Sequence, residues 1–174
     1  MSKLGKILYS EEEIQRRINH MARIIEKDYE EEEELILLVV LEGAVYFLAD
    51  FTRALQKPVK IDFLSIGVKK DTEKNRIITY VKDLTLPIEG KSVLLLEDVV
   101  GTGLTLATLL QHIESFHPKS LKVLALLDNP AKRLLHLTVH YRLFTMPDTF
   151  VVGYGLDHHE DYRHLKDIHE FTLP

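Results

Sequence analysis

The chain has 174 residues, 45% hydrophobic and 28% charged, and its 22 Lys and Arg stand against 27 Asp and Glu for a formal charge of −5. That mix excludes a disordered or low-complexity scaffold, the length predicts one domain over residues 1–174, and the acidic balance argues against broad binding of nucleic acid. With no Cys in the chain, disulfide frameworks, thiolate metal centres and cysteine nucleophiles are excluded; the expected cytoplasmic setting fits this, though a chain without Cys fits any compartment equally well.

The opening MSKLGKILYSEEE carries no apolar stretch behind its lysines, so no secretory leader is expected. Ser10 and Glu13 form a capping-box pattern, and Ile14, Ile18, Met21, Ile24 and Ile25 follow at helical spacing. This predicts an amphipathic helix closed by the run Glu30 to Glu34, read as a solvated helix end or turn. Leu35 to Leu41 is a continuous apolar run of strand length, too short to cross a bilayer. After Glu42-Gly43 comes a helical pattern through Tyr46, Phe47, Ala49, Asp50, Arg53 and Leu55.

Val59 to Gly67 predicts a second strand, and VKKDTEKNR after it shows no hydrophobic period and reads as a mobile loop. Its Lys69, Lys70 and Lys74 with Arg76 form a dense basic cluster, read as a hydrophilic lid. Strand patterns recur at Ile77 to Val81 and Ser92 to Leu96, separated by a turn at Pro87 to Gly90. A helix is predicted over Thr102 to Phe116 and a strand over Leu121 to Leu127. Shorter strand-like pieces follow at His140 to Thr145, Phe150 to Tyr154 and Ile168 to Thr172. Apolar strands without polar alternation, separated by helices, imply an α/β fold whose parallel sheet is covered on both faces. His136 and His140 are read as surface or structural histidines on a strand rather than as metal ligands.

The segment Val93 to Thr105 reads VLLLEDVVGTGLT. A buried strand delivers Glu97 and Asp98 at its C-terminal end, where open α/β sheets bind ligands. The Gly/Thr turn that follows offers backbone N–H groups, two hydroxyls and a helix N-terminus, a set that suits a phosphate dianion. Carboxylates suit sugar hydroxyls or a magnesium ion instead, so the ensemble points to a phosphorylated sugar. A dinucleotide-binding loop is excluded, because a third glycine is missing and the acidic pair precedes the turn.

This segment resembles the phosphoribosyl-diphosphate (PRPP) motif of type I phosphoribosyltransferases, a hydrophobic strand followed by Glu-Asp-x-x-Asp-Thr-Gly-x-Thr. Asp148 to Asp157, with Tyr162-Arg163-His164-Leu165, is similar to the purine-site signature of the hypoxanthine-guanine phosphoribosyltransferases. The resemblance runs from about residue 7 to 172. It implies a mainly parallel sheet flanked by helices, with a small hood built from the chain ends. It also implies transfer of the phosphoribosyl group of PRPP to a 6-oxopurine in purine salvage, giving IMP or GMP and pyrophosphate. The implied partners are PRPP and a purine base or nucleoside monophosphate, with Mg2+ as cofactor. Assembly as a homodimer or homotetramer is implied as well, with neither nucleic acid nor membrane.

By the same resemblance, Glu97, Asp98, Val99, Gly101, Thr102, Gly103, Leu104 and Thr105 would bind PRPP or the nucleotide. Asn129, Phe150, Val151 and Asp157 would line the purine, with Phe150 stacking on it and Val151 reading its edge through the backbone. Glu42, Gly43, Arg133 and Arg163 would meet pyrophosphate, and Asp157, Glu97 and Asp98 would face the metal. His158 and His159, beside Asp157, would tune that region.

Four positions depart from the family pattern. Gly101 stands where the family has the Asp that serves as general base or acceptor near the purine. Asn129 replaces the Lys that donates to the exocyclic oxygen, Glu42 replaces the Lys of a Leu-Lys-Gly loop, and Ile66 replaces the lid Tyr. Two readings follow: a transferase with altered handling of the base, and a degenerate relative that binds a nucleotide or PRPP as a sensor.

Overall fold

The computed structural model describes residues 3–70 and 76–173, without the side chains of 68–70 and 76–78. At its centre lies β2 (Leu35–Leu41), with six of its seven residues buried. It pairs in parallel with β3 (Val59–Lys70) on one side and β5 (Ser92–Val100) on the other. β6 (Ser120–Asp128) and β7 (Tyr141–Thr145) extend the parallel sheet, and β4 (Arg76–Lys82) closes the other edge antiparallel to β3. The order is β4-β3-β2-β5-β6-β7.

The absence of polar alternation in β2 has a direct cause in the packing. Leu35, Leu37 and Val39 join Leu94, Leu96, Leu124 and Leu126 on one face, beneath α1 (Glu11–Asp28) and α2 (Val45–Ala54). Ile36, Leu38 and Val40 join Val93, Leu95 and Val123 on the other, against α3 (Leu104–Glu114). Successive residues point to opposite faces, so both parities must be apolar. α1 begins as predicted, with Ser10 Oγ accepting from Glu13 N at 3.3 Å, and buries Ile14, Ile18, Met21, Ala22 and Ile25.

The chain ends form a second, three-stranded antiparallel sheet in the order β1-β9-β8, from β1 (Lys3–Tyr9), β8 (Phe150–Val152) and β9 (Ile168–Thr172). This is the expected hood. Tyr154 OH donates to Asp50 Oδ2 at 2.7 Å and Gln15 Nε2 to the same oxygen at 2.6 Å, tying the hood to α1 and α2.

Several elements differ from the sequence reading. β1 was not anticipated, because five of its seven residues are exposed and show no hydrophobic period. The stretch read as a loop after Gly67 instead continues β3 through Lys70, paired with β4 from Arg76. Main-chain pairing at a sheet edge sets this hairpin, and no apolar period is required for it. The middle of the supposed lid, residues 71–75, and the side chains of Lys69, Lys70, Lys74 and Arg76 lie outside the described ones. β5 runs four residues beyond Leu96, and α3 starts at Leu104 rather than Thr102. Residues 136–140 are not a strand. His140 there is structural, its Nδ1 accepting from Val123 N at 3.1 Å.

The acidic run is more than a solvated end. Glu32 meets Lys119 at 2.8 Å and Glu34 meets Lys91 at 3.4 Å and also Lys60. These lysines sit at or near the N-terminal ends of β6, β5 and β3, so the run gathers the bottom of the sheet. Opposite charges thus lie far from the ligand end. Asp62 on β3 is 3% exposed and accepts from Lys82 Nζ at 2.9 Å, Thr85 N at 2.6 Å and Leu86 N at 2.9 Å. Burial opposes its ionisation, yet the backbone donors of Leu86, Thr85 and Phe63 and the Lys82 ammonium hold its pKa below the ordinary range.

Candidate active site

The C-terminal ends of β2, β5 and β6 meet the hood, and two adjoining hollows open there. The first, of ≈ 250 Å³, is lined by Leu41, Ile66, Glu97, Asp98, Gly103 and Thr105 among others. The second, of ≈ 280 Å³, is lined on one side by Asn129, Lys132 and Met146 and on the other by Thr149, Phe150, Val151, Leu156 and Asp157. Asp98, Val99 and Gly101 line both.

Backbone geometry fixes the first hollow. Gly103 caps α3 at φ 84°, a left-handed conformation, and a Cβ there would come within 2.8 Å of Leu137 Cδ1. Thr102 O accepts from Leu134 N at 3.0 Å, and Thr102 Oγ1 from Leu104 N at 3.4 Å. The first turn of α3 holds no acidic residue, so its free N–H groups and dipole can act on an anion. Gly43 lies hard against the acidic pair, since a Cβ on it would fall 1.7 Å from Asp98 Oδ2. A hydrogen is all that fits between that loop and β5.

Burial dominates the electrostatics of the pair. It pushes Glu97, 8% exposed, well above the usual carboxylate range, and the neighbouring Asp98 adds to the shift. Burial also raises Asp98, opposed by the backbone N–H of Val99 at 2.6 Å and by Arg163, and reinforced by Asp157. Two acidic side chains held in this way favour a ligand that brings hydroxyl donors or a cation.

A phosphoribosyl transferase domain family model matches residues 6–159. The chain is 40% identical over 171 residues to the hypoxanthine-guanine phosphoribosyltransferase of Mycobacterium avium, covering 95% of this chain and 84% of the relative. It superposes with a TM-score of 0.91 and 38% identity on a Bacillus anthracis hypoxanthine-guanine phosphoribosyltransferase with HEPES in the active site, covering 99% and 100% of the two chains. A Trypanosoma cruzi hypoxanthine phosphoribosyltransferase in complex with IMP gives 0.90 at 35% identity, over 97% and 95%. The chain belongs to the phosphoribosyltransferase family.

Within this phosphoribosyltransferase the four departures have distinct surroundings. A Cβ built on Gly101 meets nothing within 4 Å, so the family's Asp slot is open space beside both hollows. Asn129 is 2% exposed; its Oδ1 accepts from Lys132 N at 3.3 Å, while its Nδ2 is buried with no partner. An unpartnered buried donor on the wall of a cleft calls for an acceptor from a ligand. The Glu42 carboxylate, largely exposed, lies 3.4 Å from Arg163 Nη2, a guanidinium that it shares with Asp157 and Glu160. Ile66 puts an apolar side chain on the wall of the first hollow.

Ten of the expected residues line the two hollows, whereas Glu42, Gly43, Thr102, Leu104, Arg133 and Arg163 line neither. Arg133 lines neither hollow; it sits behind Gly103 and pairs with buried Asp128, which also binds Arg142 at 2.7 Å. An arginine on a buried carboxylate braces the Gly103 loop from behind. Arg163 binds Asp157 at 3.1 Å, Glu160 at 2.9 Å and the Gly155 carbonyl at 2.9 Å as well as Glu42, so it clamps three segments together. The second hollow also contains Lys132, Met146, Thr149 and Leu156, which the sequence reading did not place. Lys132 was legible in principle, because an Asn-Pro cap turns the chain back within three residues.

Proposed function

We propose that this protein transfers the phosphoribosyl group of PRPP to N9 of a 6-oxopurine, releasing pyrophosphate and giving IMP or GMP in purine salvage. The observation that carries the reading is the pairing of the two hollows: an acidic pair and helix N-terminus in one, and an apolar cleft with an orphaned Asn129 amide in the other. Ribose hydroxyls donate to Glu97 and Asp98, and the 5′-phosphate sits on the Thr102 to Thr105 amides and hydroxyls, with Val99 and Leu104 contributing main chain. The purine stacks on Phe150, a residue that is 40% exposed. Its edge meets the open main chain of Val151, since β8 is an edge strand. The Asn129 amide donates to its exocyclic oxygen.

Asp98 and Asp157 line the same cleft and would hold Mg2+ through the oxygen donors it prefers, and the ion would supply charge neutralisation on pyrophosphate oxygens. Arg163 adds a guanidinium on that side, and Gly43, with no side chain, lets its loop lie directly against Asp98. The same proposal takes residues 1–174 as one domain, since β1 and β9 pair the two chain ends in a single ladder. It takes the protein as a cytoplasmic homodimer or homotetramer; no helix among the described residues is long and apolar enough to cross a membrane.

The test is nucleotide formation from PRPP and Mg2+ with hypoxanthine, guanine, xanthine and adenine in separate reactions, followed by chromatography. IMP or GMP above the no-protein control is the expected result. The absence of every monophosphate, with folded protein and an active relative alongside, would overturn the reading.

A further inference from the structure

Asn129 is a neutral amide at the end of β6, and the wall it occupies carries one other polar group with a free proton. The chain after it forms a single 3-10 turn, Pro130–Lys132, capped by the Asn129 side chain. That turn brings Lys132 back to the cleft, where it is the one cationic side chain lining the second hollow among the described residues. Its ammonium lies 2.5 Å from Asp148 Oδ1, on the loop that leads into Thr149, Phe150 and Val151. The pair therefore joins the two walls that would enclose a base. The lysine is about half exposed and Asp148 about two-thirds, so neither charge is locked in a dry site. An ammonium has three N–H groups, and one contact to Asp148 leaves two for a ligand.

We propose that Lys132 is a specificity-determining residue of the base cleft, donating a charged hydrogen bond to the exocyclic oxygen of an oxopurine. The inference rests on the transferase reading of the cleft. Asn129 fixes where that oxygen sits, and Lys132 supplies the positive charge that an amide lacks. An aminopurine presents N–H donors at the same point and meets two donors with none of its own accepted. The discrimination is therefore set by two residues three positions apart, held in register by the Asn129 cap on Lys132 N. Asp148 holds the lysine in place between turnovers and shares it with the base when the cleft is filled.

The experiment is calorimetric titration of the whole protein with IMP and with AMP, in the presence of Mg2+, for the wild type and for Lys132→Met, Lys132→Arg and Asp148→Asn. Lys132→Met is expected to lower the IMP over AMP preference by about tenfold, the scale of one charged hydrogen bond. Lys132→Arg should restore most of it, and Asp148→Asn should leave it within about threefold. In parallel kinetics Lys132→Met should raise KM for hypoxanthine with KM for PRPP unchanged, a split that a general structural loss would not produce. A preference that stays within about twofold in Lys132→Met, or a wild type that binds IMP no better than AMP, overturns the proposal. Because the titration reads equilibrium binding, it separates the two ideas. Loss of preference in a protein that makes no nucleotide would sink the transferase reading and keep Lys132, whereas full turnover with unmoved preference would do the reverse.

Discussion

The two hollows share Asp98, Val99 and Gly101 yet differ in how they are made. The sugar-phosphate side is set by backbone: a glycine against Asp98, a left-handed cap at Gly103, and the first turn of α3. The base side is set by side chains, and it holds Gly101, Asn129 and Lys132 where the family pattern has a carboxylate and a single lysine. Geometry held by main chain tolerates substitution nearby, while recognition held by side-chain termini changes with each replacement. The acidic pair and the Gly/Thr turn thus keep the family pattern, while the departures fall at Gly101 and Asn129 on the base side and at Glu42 and Ile66 on the loops around the first hollow.

Filling each side tests this contrast. Gly43→Ala would drive a methyl into the Asp98 carboxylate, and PRPP affinity should fall on the order of 10²-fold, the result of overpacking worth roughly 1–3 kcal/mol. Titration with PRPP and Mg2+ checks it, and unchanged affinity would mean that Asp98 does not hold the sugar. Gly101→Asp should act in the opposite direction. The open space around Gly101 accepts a side chain, and a carboxylate beside the purine should raise kcat on the order of 10²-fold through general-base catalysis.

Away from both hollows, Asp62→Ala should cost about 3 kcal/mol in chemical denaturation, because it removes the acceptor of the Phe63, Thr85 and Leu86 backbone N–H groups. Ligand affinity in the folded variant should stay at the wild-type value. The smallest effects concern pH. Asp62 is held below its ordinary value of 3.8, so its contribution is present above that pH and lost as the solution is acidified. Glu97 is raised well above 4.5, so the folded state keeps a proton that the unfolded state has released, and stability falls as pH rises through that interval. Thermal melts across pH should therefore show a smaller acid limb in Asp62→Asn, with Glu32, Glu34 and Asp83 keeping the rest, and flatten above pH 4.5 in Glu97→Gln. Melts of the same slope as the wild type would contradict both assignments.

The central sheet and the PRPP loop were legible in the sequence because their causes are local and dense. LILLVVL and SVLLL have no polar parity since both faces are covered, and a carboxylate pair before a Gly/Thr turn has few other uses. β1 was invisible because an exposed strand zipped to the far end of the chain leaves no period, and the hairpin beyond Gly67 was hidden for a similar reason. Within the site, residue types pointed to Asn129, Phe150 and Asp157 but could not separate Arg133 from Arg163. That difference lies in the partners, buried Asp128 for one and the more exposed Glu42, Asp157 and Glu160 group for the other. Lys132 was missed because its role depends on the hand of one short turn.

The measurement that bears most directly on the account is steady-state kinetics of the wild type and Gly101→Asp with hypoxanthine as the base, varying PRPP at saturating Mg2+. The account predicts a kcat raised on the order of 10²-fold with KM for PRPP within about twofold, since the added carboxylate acts on the base and not on the sugar phosphate. An unchanged kcat, or a shift confined to KM for PRPP, would contradict it.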